Sequence, residues 1–295
     1  MHANRNLKDS VFTTLFNNPD LLRDLYCALE GVTLPSDTPV SINTLENVFV
    51  MDIYNDISFE IGGKLIVLIE HQSSINPNMP LRLLMYIAEV YERMIKNKNV
   101  YSTKHVSIPW PEFFVLYNGE EQFPDETTLK LSTLFEKPQD LGLPEKLKPF
   151  LELEVRVINI NEGRNVDILN RCTELAGYST LINKVREYKN ELGDLADGIK
   201  KAIKFCQKNG ILKEYLEIHG MEVIGMLYTE WNLEDAIAVR CEEAREEERE
   251  KIRTEEREKS RQDKLSIARN LLTEGSTPEF VQKITGLPLE EIAKL

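Results

Sequence analysis

Two strand-like segments joined by a pair of glycines constrain the fold of this chain most. Ile57, Phe59 and Ile61 alternate with polar residues, which is the period of a strand with one buried face. Residues 62–64 (Gly-Gly-Lys) predict a tight reversal, and residues 65–69 form an apolar run. A strand that is apolar on both faces lies inside a sheet covered on both sides. The pattern therefore predicts a layered α/β domain.

Three further segments have the composition and alternation of strands. They are residues 48–53, 109–117 and 152–160. The first of them directly precedes the glycine-linked pair, so we expect three consecutive strands.

Amphipathic spacing predicts helices on both sides of these strands. The predicted helical regions are residues 9–29, where Pro19 opens the second of two short helices, residues 81–98, and residues 165–231 with breaks at Gly177, Gly193 and Gly210.

The last part of the chain has a different composition. Residues 240–261 are nearly all Glu, Arg and Lys, and an arginine recurs every fourth residue from Arg245 to Arg261. This ridge could follow a DNA backbone, but we favour a solvated helix held by pairs such as Glu247 and Lys251. Residues 265–295 predict two short helices that could form a helix-turn-helix, or a protein-docking or dimerising module.

Composition excludes several classes of protein. The chain has 36 Lys and Arg against 49 Asp and Glu, a net charge of −13, which argues against wrapping of nucleic acid by the whole surface. Its four cysteines and four histidines lack the spacing of a zinc site. No apolar run is long enough for a membrane span, and the first residues do not resemble a signal peptide. We therefore expect a cytoplasmic protein.

Polar side chains interrupt the strand pattern at three positions. Asp56 precedes the second strand, and Glu70 and Gln72 end the third, where their spacing places them on one face. A two-residue turn would pair Ile61 with Lys64 and put Asp56 on the wrong face. A three-residue turn would place Asp56 opposite Glu70.

Two facing carboxylates repel each other unless a cation lies between them. Oxygen ligands from Asp, Glu and an amide suit a hard cation such as Mg²⁺. The alternative is also common: a polar strand end at a solvent edge, preceded by an ordinary turn aspartate. The spacing of these residues leaves both readings open.

The sequence also resembles the bacterial recombination-promoting nuclease/putative transposase family, within the PD-(D/E)XK nuclease superfamily. The matching segments are residues 55–59 (NDISF), 69–74 (IEHQSS), 76–82 (NPNMPLR), 114–119 (FVLYNG), 159–161 (NIN), the charged helix and residues 285–292 (TGLPLEEI). The resemblance implies a restriction-endonuclease-like αβββαβ core and cleavage of DNA phosphodiesters that depends on Mg²⁺ or Mn²⁺.

Carried over to this sequence, the resemblance makes Asp56 a metal ligand and Glu70 the acidic residue of the E-x-K element. The main-chain carbonyl of His71 would complete the metal shell. Gln72 stands where the superfamily usually has lysine, although Glu-x-Gln variants occur in the family.

The missing lysine leaves open how the attacking water is oriented. Gln72 could place it by a hydrogen bond, or Arg82 or Lys64 could supply the positive charge and contact a DNA phosphate. Asp52 could support the site but is more typical of a turn. The His71 side chain should point away from Asp56 and be a core or edge histidine instead of a catalytic base.

We therefore predict a DNA endonuclease linked to recombination or mobile elements, with DNA as partner and a homodimer left open. A catalytically silent DNA-binding protein and a protein-interaction module are the alternatives. The predicted organisation is a nuclease-like core at 1–164, a helical elaboration at 165–239, a charged helical linker at 240–262 and a small helical tail at 263–295.

Overall fold

The structure is a computed structural model that describes residues 10–43, 56–96, 100–101, 103–136, 141–142 and 148–295. The chain divides into two compact units, Met1–Trp231 and Asn232–Leu295.

The described part of the first unit is built on a six-stranded sheet of order β1-β2-β3-β4-β6-β5. The strands are β1 (Val40–Ile42), β2 (Ile57–Ile61), β3 (Leu65–Gln72), β4 (Trp110–Tyr117), β5 (Glu126–Lys130) and β6 (Glu154–Asn159). Strands β1, β2 and β3 form an antiparallel meander, and β3, β4 and β6 run parallel. Strand β5 closes the far edge, antiparallel to β6. The carboxyl ends of three parallel strands therefore meet at one edge of the sheet.

Helices cover both faces of this sheet. The described helices that lie wholly within the first unit are α1 (Val11–Leu15), α2 (Pro19–Glu30), α3 (Met79–Ile95), α4 (Val166–Arg171), α5 (Thr173–Leu192) and α6 (Leu195–Lys208). Helix α2 begins as its sequence predicts, because Asn18 Oδ1 accepts a hydrogen bond from the Asp20 amide at 2.8 Å and Pro19 takes the first helical position.

The order α2-β1-β2-β3-α3-β4 gives the αβββαβ arrangement, so the predicted restriction-endonuclease-like α/β fold is confirmed. Its first strand is Val40–Ile42, a three-residue segment too short to show a period. The predicted strand at residues 48–53, and with it Asp52, lies outside the described residues. Strand β5 was not predicted, since this edge strand is half exposed and carries almost no apolar signal.

Strand β3 separates two hydrophobic cores. Val67 and Ile69 face a core shared with α1, α2, α5 and α6, whereas Ile66 and Leu68 face a core shared with α3. All four side chains are fully buried, as expected for a central strand. Because side chains alternate, Glu70 lies on the face that α3 covers.

The predicted helix break at Gly177 is wrong. Gly177 lies inside α5, where a Cβ atom would come within 2.8 Å of Leu212 Cγ, so glycine permits close packing here. The breaks at Gly193 and Gly210 are confirmed. Both residues have positive φ angles, which glycine adopts without strain.

Helix α7 (Lys213–Thr273) is continuous, so residues 265–273 extend the charged helix instead of forming a separate one. It is followed by α8 (Pro278–Thr285) and the single turn α9 (Leu289–Ile292). A small core of Ala268, Val281, Leu287 and Ile292 holds these helices of the second unit together. None of the helices in the described part of the chain could cross a membrane. The predicted domain boundaries stay predictions.

Gly119, the second residue after β4, fits against the end of β3. A Cβ atom at this position would lie 1.9 Å from the Ser73 carbonyl oxygen, which belongs to the backbone and cannot move aside easily. We expect Gly119→Ala to lower the free energy of unfolding by about 2–4 kcal/mol, measured by urea denaturation.

The control for this variant is Gly225→Ala. Gly225 is an exposed helical residue with open space around it, and alanine there should raise stability by about 0.5–1 kcal/mol. Equal effects at the two positions would contradict the close approach at Gly119.

Candidate active site

The register of β2 and β3 determines which side chains meet at the candidate site. Ile61 pairs with Leu65 and Ile57 pairs with Ile69, so residues 62–64 form the three-residue turn. Asp56 directly precedes β2 and therefore comes opposite Glu70. This was one of the two alternatives that the sequence left open.

Asp56 and Glu70 lie at the edge of the sheet where the parallel strands end. Asp56 Oδ2 accepts a hydrogen bond from the His71 backbone amide at 2.7 Å, which fixes the carboxylate against β3. Glu70 is only 3% exposed. Two acidic residues from neighbouring strands are thus held on the α3 side of the sheet.

The backbone of His71 faces the same side of β3 as Asp56. In a regular strand, the amide and carbonyl of one residue point to the same neighbouring strand. Because the His71 amide donates to Asp56, its carbonyl also lies on the side of β2. The next carbonyl, that of Gln72, points to β4 and accepts a hydrogen bond from the Asn118 amide at 2.9 Å.

The Gln72 side chain is held by the segment that leads into α3. Its Oε1 accepts a hydrogen bond from the Asn76 amide at 3.3 Å, and its Nε2 lies 2.8 Å from Met79 Sδ. A lysine could not accept the bond from Asn76. Glutamine at this position therefore also stabilises the loop between β3 and α3.

Arg82, on the first turn of α3, is brought to Glu70. Its Nη2 lies 3.4 Å from Glu70 Oε2 and 3.1 Å from Tyr86 Oη. The Arg82 side chain is 31% exposed, so one part of it contacts the buried acid while another reaches solvent. It is thus a partly buried ion-pair partner of Glu70.

Lys64 is not brought to the carboxylates. It lies in the turn before β3, whereas Glu70 and Gln72 lie at the other end of that strand. Six residues of extended chain span about 20 Å, which is far beyond the reach of a lysine side chain. The suggestion that Lys64 supplies charge at this site is therefore wrong.

The His71 side chain lies on the opposite face of β3, as predicted. Its ring stacks on Phe12 at a centroid distance of 5.4 Å, and Tyr178 Oη lies 3.2 Å from Nε2. Burial and the nearby Arg186 lower the pKa of His71 to about 4. A neutral core histidine results, consistent with a structural role.

The electrostatics of the site reflect burial of acidic groups. Desolvation raises the pKa of Asp56 to about 6, although the His71 amide and Arg82 both favour its ionised form. Burial and the charge of Glu70 raise the pKa of the Tyr86 hydroxyl to about 12. Burial of Arg82 lowers its pKa, but the negative charge of Glu70 has a larger opposite effect together with Tyr86 and Asp56. The pKa of Arg82 is therefore raised.

The raised pKa of Asp56 predicts how the metal-free protein responds to pH. Between the unfolded value of 3.8 and the folded value of about 6, the folded state binds more protons, so the Asp56 contribution to stability falls as pH rises. Asp56→Asn should remove this slope and stabilise the protein by about 3 kcal/mol above pH 6.

Urea unfolding of wild type and variant, with a chelator and at pH values on either side of this window, measures the difference. A stability difference between the two proteins that does not change with pH would contradict the assignment.

A second polar cluster holds the ends of β4 and β6 together. Arg186 of α5 donates to Asn118 Oδ1 at 3.0 Å, to Asn161 Oδ1 at 3.2 Å and to the Asn118 carbonyl. Because the Asn118 amide bonds to the Gln72 carbonyl, this cluster is connected to the candidate site.

Sequence reasoning missed Arg186 and Tyr86. Tyr86 follows Arg82 by one helical turn, so its spacing could have identified it. Arg186 lies far from its partners along the chain, and no local pattern reveals it.

The donor set fits a hard divalent cation. Among the described residues, no group of three or more His, Cys, Asp or Glu is placed to hold a metal ion. The site instead offers two carboxylates and a main-chain carbonyl, with an arginine already beside one acid. Mg²⁺ is commonly bound by one or two carboxylates and keeps several waters or substrate oxygens.

Comparison with protein families identifies the relatives of this fold. The model of the family described as "Putative transposase, YhgA-like" matches residues 11–208, which is more than half of the chain. The chain belongs to this family. The match confirms the family resemblance and runs from α1 to α6, thereby including the candidate site.

The charged part of α7 and the tail lie beyond the matched residues, so their resemblance to the family stays a prediction. No curated protein and no solved structure matches the chain.

Proposed function

We propose that this transposase-family protein is an endonuclease that hydrolyses DNA phosphodiesters with Mg²⁺ or Mn²⁺. The observation that carries the proposal is the position of Asp56 and Glu70, on adjacent strands and facing α3 at the carboxyl edge of the parallel strands. Ligands of open α/β sheets bind outside this edge. The family description points to mobile elements, whose movement requires DNA cleavage.

The residues that would hold the ion are Asp56, Glu70 and the main-chain carbonyl of His71. A bound divalent ion makes water more acidic and stabilises negative charge on the phosphate. Among the described residues, the His71 amide donates to Asp56 Oδ2, so Oδ1 would be the oxygen that contacts the ion.

Arg82 is the residue best placed to supply the positive charge that lysine provides elsewhere in the superfamily. Its guanidinium lies against Glu70, is partly exposed and can bind a phosphate through two donors. Gln72 would hold the attacking water through its amide while keeping the loop before α3 in place.

Nicking of supercoiled plasmid tests this proposal. The wild-type protein should convert supercoiled to open-circular DNA with Mg²⁺ or Mn²⁺, and a chelator should stop the reaction. Metal-dependent nicking by the wild type that variants of the site lose would support the proposal. No nicking with either metal would overturn it.

A catalytically silent DNA-binding protein is the second candidate. One observation favours it: Gln72 stands at the position where the superfamily usually has lysine, and its side chain accepts a hydrogen bond from the loop between β3 and α3. Salt-sensitive DNA binding without cleavage would identify it. A protein-interaction module would instead bind no DNA at low salt.

A further inference from the structure

The second unit contains a groove lined by basic residues, outside the part of the chain that matches the family. We call it the basic groove. It is formed by one side of α7 and the link between α8 and α9, and its lining includes Arg253, Arg257, Arg261, Lys264, Glu256 and Leu287.

Positive charge is concentrated here although the chain as a whole is acidic. The segment 249–264 contains seven basic and five acidic residues, against a net charge of −13 for the protein. The four cations of the groove are all exposed, and Glu256 is the only acidic residue that lines it among the described side chains. The groove therefore presents a local excess of positive charge to solvent.

The cations follow the axis of the helix at regular intervals. Arg253, Arg257 and Arg261 are four residues apart, which corresponds to a rise of about 6 Å for each step, and Lys264 continues the row. A row of this kind suits a ligand with closely and evenly spaced negative charges. A nucleic-acid backbone has this property, whereas the carboxylates of an acidic peptide point in different directions.

One of these arginines is already paired. Arg261 Nη2 lies 3.0 Å from Glu291 Oε1, and this contact connects α7 to α9. Both side chains are partly exposed, and ion pairs at exposed positions are weak. A phosphate can therefore compete for Arg261, while Arg253, Arg257 and Lys264 complete the row.

We propose that the basic groove binds the phosphate backbone of a nucleic acid without reading its sequence. Guanidinium groups bind phosphate through paired donors, and Leu287 provides an apolar wall. The basic groove would then be a second nucleic-acid contact of the chain, besides the proposed nuclease site. The charged segment is accordingly interpreted as a binding surface instead of a solvated helix. The assignment does not depend on the metal site.

The test is binding of a fluorescent DNA duplex of arbitrary sequence to the full-length protein, with a chelator present so that cleavage plays no part. The groove variant is Arg253→Gln with Arg257→Gln. The control is Lys251→Gln with Lys259→Gln, which removes the same charge from exposed positions of α7 outside the groove lining. Arg261 is left unchanged because its ion pair supports α9.

The salt dependence of binding is the decisive measurement. Each phosphate contact contributes about 0.9 to the slope of log Kd against log salt, so the groove variant should lower that slope by about 1.8. The control should leave the slope nearly unchanged. Equal slopes for the two variants, or no DNA binding by the wild type at low salt, would overturn the proposal.

Two further outcomes distinguish a nucleic-acid groove from a dimer contact and from an effect of the metal site. One outcome is that the wild type forms a dimer, that the groove variant does not, and that the two proteins bind DNA equally. The groove would then bind a second acidic copy of the chain, and the proposal would be wrong. If the groove variant lowers the slope by about 1.8 in the presence of the chelator, when no cation occupies the metal site, the groove acts independently of that site, as proposed.

Discussion

Glu70→Gln and Asp56→Asn should each reduce the rate of plasmid nicking by about 1,000-fold or more. Either change removes one of two carboxylates that face the same side of β2 and β3. A divalent ion contributes several kcal/mol of charge stabilisation to phosphodiester hydrolysis, and about 1.4 kcal/mol corresponds to a tenfold change in rate. Each replacement keeps the size of the side chain.

The matched control for these variants is Glu60→Gln. Glu60 lies on the same face of β2 as Asp56, but at the turn end of the hairpin, so the variant loses an equal charge on the same strand. It should nick plasmid at the wild-type rate. Nicking that persists in Glu70→Gln and Asp56→Asn would show that the activity comes from elsewhere in the protein or from a contaminant.

Arg82→Met should lower the free energy of unfolding by about 2 kcal/mol. The change removes a guanidinium that lies 3.4 Å from the carboxylate of Glu70, which is almost fully buried. Loss of one partner of a buried ion pair costs about 3–5 kcal/mol, and the partial exposure of Arg82 reduces that value. Methionine retains most of the volume of the aliphatic stem.

A double-mutant cycle separates this ion pair from packing. Glu70→Gln should recover at least half of the stability that Arg82→Met loses, because the buried charge is then absent as well. Arg93→Met is the control, since Arg93 pairs with Glu89 one turn apart on the exposed side of the same helix and should contribute less than about 1 kcal/mol. Additive effects of the two site variants would contradict the coupling.

The central hairpin could be predicted from the sequence because its signals are local. The alternation at Ile57, Phe59 and Ile61, the glycines of the turn and the apolar run of β3 each reflect physical preferences of the residues involved. Its register could not be predicted, since two- and three-residue turns are both compatible with Gly62 and Gly63. The position of Asp56 opposite Glu70 depended on that register.

Features that depend on tertiary contacts could not be predicted from the sequence. Strand β1 has three residues and β5 is an exposed edge strand, so neither has a periodic apolar face. Gly177 resembles a helix end in the sequence, although it serves close packing against Leu212. Arg186 reaches Asn118 and Asn161 only because α5 packs beside the ends of two strands.

At the candidate site, the sequence likewise could not show which of Lys64 and Arg82 lies near Glu70. Both are basic residues close in sequence to Glu70, and sequence distance did not separate them. The extended strand carries Lys64 about 20 Å away, whereas the loop before α3 returns Arg82 to the acid.

Titration of the full-length protein with Mn²⁺, followed by electron paramagnetic resonance of the free ion, tests most directly whether Asp56 and Glu70 hold a divalent cation. The method needs no DNA and is independent of any nuclease contaminant. The wild type and Glu60→Gln should bind one Mn²⁺ that Asp56→Asn and Glu70→Gln both fail to bind. Identical binding curves for all four proteins would contradict the assignment of the cation to these two carboxylates.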